Sequence, residues 1–174
     1  MPGYSHEDVE LARVTLVVTC VVIMKDLYTH ENTALILKRS EKEKEGPGLW
    51  TIPGGRVRLS DLGEPLKIKG VSHNIWLGAK ALERAILREI KEEAGIKVEF
   101  AFPLPGREKI FTRKDGTPTL VLVYWTVCIP STAVALGGEA TAHRWVKEEE
   151  LVHYEFIGNV RDDIRAALRH WSNA

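Results

Sequence analysis

The chain has 174 residues, 44% of them hydrophobic and 28% charged, the proportions of an ordinary soluble domain. Lys and Arg number 24 and so do Asp and Glu, which excludes a protein drawn to nucleic acid or to a membrane surface by bulk charge. There is no run long and apolar enough to span a bilayer and no secretory leader, so a cytoplasmic protein of one domain over 1–174 is expected, with Cys20 and Cys128 as buried thiols.

Residues 1–12 read as a polar N-terminal extension. Residues 14–24 are apolar and largely β-branched, which predicts a strand buried on both faces. A polar turn over 25–32 leads into a returning strand at 33–39. The loop 41–48 follows, with Glu41, Lys42, Glu43 and Lys44 expected in solvent. Residues 50–55 read Trp-Thr-Ile-Pro-Gly-Gly, and the paired Gly54 and Gly55 let backbone come close to a ligand or ion, or simply end a strand in a tight turn.

Residues 56–77 alternate partly, through Val57, Leu59, Leu66, Ile68, Val71 and Ile75, which predicts a small hairpin or flap turning at 62–65. Arg56, Arg58 and Trp76 lie within it, beside Asp61 and Glu64. Three readings stand open for the segment: a substrate contact that clamps phosphate and stacks on a base, a subunit contact, or an elaboration that long loops tolerate.

After an opening Gly78, fair to strong helix formers run on to Glu93, and Gly95 sits where a left-handed cap is wanted. Leu82, Ala85, Ile86 and Ile90 make a core stripe, with Glu89, Glu92 and Glu93 in nearly the same sector and Lys80, Arg84, Arg88 and Lys91 opposite. Three carboxylates so close repel one another and hold their protons. A bound divalent cation removes that penalty, and oxygen-only ligands suit Mg²⁺ or Mn²⁺. The competing reading is a solvated acidic turn held by contacts such as Arg88 to Glu92.

Beyond the helix, 97–102 predicts a short strand, and 109–112 and 119–129 predict strands joined by a hairpin at Asp115-Gly116. Tyr124 and Trp125 point to opposite faces of the second of these, each expected in the core. Residues 131–141 form a loop bearing Gly137, Gly138 and Glu139. His143 and His153 have no zinc-site spacing, and 158–171 predicts a helix that packs Ile164, Ala167, Leu168 and Trp171 on the sheet.

The stretch Arg88-Glu89-Ile90-Lys91-Glu92-Glu93-Ala94-Gly95-Ile96 resembles the second half of the Nudix box, G-x5-E-x7-R-E-U-x-E-E-x-G-U, at every defined position. Trp50 to Gly55 resembles the Trp-x-x-Pro-Gly-Gly entry to that box. His143-Arg144-Trp145-Val146 with Glu149-Glu150-Leu151 resembles the family's late strand and closing helix. The likeness extends over roughly residues 14 to 170. Two departures stand out. Arg88 follows Gly55 by 33 positions where the motif has 14, an insertion of about 19 residues, and counting back eight from Arg88 puts Lys80 at the first box glutamate, with Glu83 as a partial stand-in.

The resemblance implies an α/β fold, a Nudix-type α/β/α sandwich with a mixed β-sheet, here with an inserted flap or hairpin over 56–77. It implies hydrolysis of a phosphoanhydride in a nucleoside diphosphate linked to another moiety, with Mg²⁺ or Mn²⁺ held by the Gly54 carbonyl, Glu92 and Glu93, and Glu89 as ligand or water-orienting base. Arg88 is then structural, paired with a helix glutamate. Glu139 is the candidate further carboxylate, as ligand or base, and is equally readable as a solvated loop residue. Arg56, Arg58 and Trp76 are the candidate substrate contacts. The partner is a nucleotide, with a homodimer also implied, and neither nucleic acid nor membrane is expected.

Thr112 stands where ADP-ribose members often carry a proline, and no tyrosine lies between Gly95 and Tyr124 where dinucleoside polyphosphate members place one. Both absences favour a nucleoside triphosphate pyrophosphohydrolase over an ADP-ribose or nucleotide-sugar pyrophosphatase. The remaining alternative, of another class, is a non-catalytic nucleotide-binding regulatory module.

Overall fold

A computed structural model describes residues 14–25, 31–66, 69, 78–129 and 132–172. Its strands form one eight-stranded mixed sheet with a helix on each face. The long apolar runs supply the centre. Strand β1 (Thr15–Lys25) lies parallel to β7 (Pro118–Cys128) in unbroken register from Thr15↔Thr119 to Met24↔Cys128. Strand β2 (Asn32–Arg39) pairs antiparallel with β1 only at its start, Ile23↔Ala34 to Lys25↔Asn32, after which the two strands diverge.

The residues that fill the wedge are those of the double-glycine segment. Strand β3 (Trp50–Thr51) pairs with β2, and β4 (Gly54–Arg56) pairs with β1 through Thr19↔Gly54 and Val17↔Arg56. The chain thus crosses from one strand to the other at Ile52-Pro53, where the Pro53 carbonyl accepts the Cys20 N–H at 2.8 Å. Strands β5 (Phe102–Pro103) and β6 (Lys109–Thr112) both pair with the outer edge of β7, and β8 (Ala140–Val146) closes the other side along β2.

Helix α1 (Gly78–Ala94) buries Ala85, Ile86, Ile90 and Ala94 against Val18, Cys20, Val22 and Leu37 on one face. Helix α2 (Val160–Ser172) buries Ile164, Ala167 and Leu168 against Val21, Ile23, Ile36 and Trp125 on the other. The alternation along β1 divides the two cores, which is the sandwich expected. Both cysteines are buried and free, and no helix among the described residues is long and apolar enough to cross a membrane.

Two local expectations change. Residues 97–101 are not strand: β5 starts at Phe102, where pairing with Trp125 becomes available, and Thr126 Oγ1 donates to the Phe100 carbonyl at 2.6 Å instead. The described part of the insertion is not a hairpin. It opens with a 3₁₀ turn at Leu59–Leu62, clamped to α1 by arginines, because Asp61 folds back to accept the Arg58 N–H at 2.7 Å. Most of 67–77, with His73 and Trp76, lies outside the described residues, as do 1–12.

A candidate active site on helix α1

The C-terminal half of α1 lies over the double glycine. The Gly54 N–H donates to Glu93 Oε2 at 3.0 Å. A Cβ at Gly55 would stand 2.4 Å from Glu89 Oε1, so the absence of a side chain there is what lets the Glu89 carboxylate, only 5% exposed, lie against the backbone. The sequence places glycine and glutamate far apart along the chain. The wedge between β1 and β2 brings them together.

The three carboxylates differ in their partners. Glu89 receives Arg88 Nη1 at 2.5 Å. Glu92 is held on both oxygens by Arg58, at 3.1 and 3.0 Å, with Arg88 Nη1 at 3.3 Å. Among the described residues Glu93 has the Gly54 N–H as its one hydrogen-bond donor, and burial pushes its carboxyl up to about 7, helped by the charge of Glu89 and opposed by that hydrogen bond and by Arg39. Arg39 sits at the end of β2, tied to Glu43 at 2.8 Å and to the Glu45 carbonyl at 2.9 Å, so Glu43 is not merely solvated.

Arg88 does pair with helix glutamates, as expected, yet its strongest partner is Asp61. Nε reaches Oδ1 at 2.9 Å and Nη2 reaches Oδ2 at 2.8 Å, while Nη2 also donates to the Arg56 carbonyl at 3.0 Å. The Arg88 guanidinium holds the Asp61 carboxyl below its usual value. Arg84 adds donations to the Asp61 and Leu62 carbonyls. Asp61, 4% exposed, therefore occupies the place for which Lys80 and Glu83 were considered, and those two pair with each other at 3.2 Å. The signal was in the sequence: counting forward from Gly55 through five residues reaches Asp61, so the extra residues fall after it.

The loop bearing Glu139 is docked on the end of α1. Ala135 N–H donates to the Ala94 carbonyl at 2.9 Å and Gly137 N–H to the Glu93 carbonyl at 3.0 Å, satisfying carbonyls that a helix end leaves open. Glu139 itself is exposed, as are the side chains of Arg56 and Arg58. Glu89, Glu92, Glu93, Gly54, Arg88 and Arg58 are brought together, whereas Trp76 lies outside the described residues. Missed by sequence reasoning were Asp61 as the partner of Arg88, Arg84 as a brace and Arg39 as the cation facing Glu93.

Could these groups hold a divalent cation? Among the described residues no three acidic, His or Cys side chains converge into a ready cage. The donor set nevertheless fits magnesium, which takes oxygen ligands, keeps several waters and needs only one or two carboxylates together with substrate phosphates. A carboxyl held up to about 7 beside a second buried carboxylate is the electrostatic cost that a dication offsets.

The NUDIX domain family matches residues 15–168. A nucleoside triphosphatase, NudI of Escherichia coli K12, is 26% identical over 151 residues, 82% of this chain and 93% of that protein. Among solved structures, the NUDIX domain of Shewanella oneidensis NrtR complexed with ADP ribose superposes with a TM-score of 0.65 at 15% identity, over 91% of this chain and 88% of that one. A Caenorhabditis elegans Ap4A hydrolase binary complex gives 0.63 at 19% identity, over 92% and 100%. The MutT protein of Methanosarcina mazei Go1 gives 0.62 at 19% identity, over 92% and 96%.

Proposed function

Because the chain belongs to the Nudix hydrolase family, we propose that it is a magnesium-dependent nucleoside triphosphate pyrophosphohydrolase, working in the cytoplasm, with α1 and the double glycine as its site. The observation that carries the site is the seating of Glu89 and Glu93 on Gly55 and Gly54. Similarity to a nucleoside triphosphatase supports the substrate class.

Glu92, Glu93 and the Gly54 carbonyl would hold Mg²⁺ or Mn²⁺, with Glu89 as a further ligand or as the base that orients the water. When bound, the cation neutralises diphosphate charge and acidifies a water. Glu89 and Glu139 are the two candidates for taking the proton of the attacking water. Glu89 is buried and restrained by Arg88, so it is the better oriented of the two. Arg88 does not touch substrate; with Asp61 it fixes the helix face that presents the acids. Arg56 and Arg58, both exposed, would meet the phosphates of the nucleotide.

The test is a Mg²⁺-dependent hydrolysis panel of nucleoside triphosphates, oxidised purine triphosphates, ADP-ribose, nucleotide sugars and a dinucleoside polyphosphate, with Glu93→Gln as blank. Turnover of triphosphates, lost in the blank, is the expected result. Turnover confined to ADP-ribose or a nucleotide sugar transfers the assignment to that pyrophosphatase class. Nucleotide binding with no turnover makes the protein a regulatory module. Light scattering in the same buffer checks the expected homodimer.

A further inference from the structure

The side chain of Arg58 and its backbone have opposite fates. The backbone is fixed: its N–H donates to Asp61 Oδ2 at 2.7 Å, its carbonyl accepts the Asp61 N–H at 3.0 Å, and Asp61 is itself gripped by Arg88. The side chain is half exposed, and so is that of its partner Glu92, at 52% and 44%. An ion pair so open to water contributes little, because solvent screens it and ordering two long side chains costs entropy. A firm pivot therefore carries a loosely held guanidinium.

That guanidinium covers both oxygens of Glu92 with its planar fork. The lone pairs it takes are the ones a hard divalent cation requires of the same carboxylate. Arg88 Nη1 also touches Glu92, at 3.3 Å, but its stronger bonds to Asp61 and Glu89 keep it where it is. Of the two arginines on Glu92, only Arg58 is free to leave. We propose that Arg58 is an exchangeable counter-ion, competing with the divalent cation for Glu92 and, once displaced, binding the phosphate chain of the nucleotide.

The proposal rests on Glu92 being a cation ligand. It explains why an arginine from the spacer between Gly55 and Asp61 lies on a box glutamate: it lowers repulsion among Glu89, Glu92 and Glu93 until the cation arrives, then moves its charge to the substrate. Cation and nucleotide are thereby coupled, since each favours the same position of one side chain.

The experiment is a Mn²⁺ titration followed by electron paramagnetic resonance, on wild type, Arg58→Ala, Arg58→Lys and Glu93→Gln, with and without a non-hydrolysable nucleoside triphosphate analogue. Without nucleotide, Arg58→Ala is expected to bind Mn²⁺ about two- to fivefold more tightly than wild type, the worth of an exposed ion pair. Arg58→Lys, which keeps charge and loses the fork, should fall between them. Affinity for the analogue in saturating Mn²⁺ should drop about tenfold in Arg58→Ala, the loss of a charge-assisted contact. Equal or weaker Mn²⁺ binding by Arg58→Ala overturns the competition, and the site assignment survives so long as Glu93→Gln loses Mn²⁺. Mn²⁺ affinity indifferent to Glu93→Gln overturns the assignment and the competition together.

Discussion

Arg88 and Asp61 meet through two parallel hydrogen bonds, 2.9 and 2.8 Å, across 27 residues of sequence. The pair joins the first half of an interrupted motif to the second. Asp61→Ala leaves a mostly buried guanidinium without its main partner and frees the 3₁₀ turn, so it should cost about 2 kcal/mol. Calorimetry should show a melting temperature lower by about 4–8 °C. Since Arg88 lowers the Asp61 carboxyl, this contribution is fully present above the unfolded value near 4 and is lost as pH falls below it. The gap between wild type and variant should therefore narrow as pH falls below about 4.

Glu93 runs the other way. Its carboxyl is raised to about 7, so the folded state holds a proton that the unfolded chain releases near 4.5. Stability in the presence of a chelator should then fall as pH rises through that interval, by about 3 kcal/mol. Glu93→Gln should abolish that slope and be the more stable protein at pH 8. Urea unfolding at pH 5 and pH 8 decides it; parallel pH profiles for the two proteins would remove the burial argument.

Gly137 and Gly138 look alike in sequence and should not behave alike. A Cβ at Gly137 would stand 2.0 Å from the Glu92 carbonyl oxygen, a backbone atom that cannot yield without moving the end of α1. Gly137→Ala should cost about 2–3 kcal/mol and reduce turnover with it. At Gly138 the nearest atom is Glu93 Cγ at 3.9 Å, so Gly138→Ala pays only for its positive φ, about 1 kcal/mol. Paired urea titrations measure the difference.

Asp163, in the first turn of α2 and 1% exposed, is held by Arg107 at 2.8 Å and by Lys109. Asp163→Asn would leave two cations facing a neutral amide, and a loss of about 3 kcal/mol is expected. The change in urea midpoint should exceed that of Lys109→Ala, where the buried carboxylate keeps Arg107.

Much of the fold was legible because it is local. Residues 14–24 and 119–129 are largely apolar and carry no charged side chain, and they became the parallel central pair. Asp115-Gly116 turned the chain, with Thr117 N–H on Asp115 Oδ1 at 2.9 Å. The Leu, Ala and Ile stripe of α1 entered the core as its spacing required. What stayed hidden depends on where distant segments land. Val98 and Phe100 alternate like a strand, but β7 offers them no partner until Phe102. Asp61 was obscured by counting from the far side of the insertion. Arg39 lies three residues from Ile36, with nothing in its neighbours to show that it would face Glu93. The docking of Ala135 and Gly137 on the last turn of α1 has no sequence signature at all, being a matter of two backbone N–H groups.

The central pair also has a bearing on how the molecule assembles. Strand β1 is made before the other described strands, and its Val18, Cys20, Val21, Val22 and Ile23 are all buried in the end, yet its parallel partner β7 emerges about a hundred residues later. Until then one long edge of β1 lacks this ladder, and among the described residues its early partners are the few residues of β2 and β4. The nascent chain must therefore carry an unpaired sticky strand until β7 is made, which makes this segment the natural place for a chaperone to hold and for aggregation to begin.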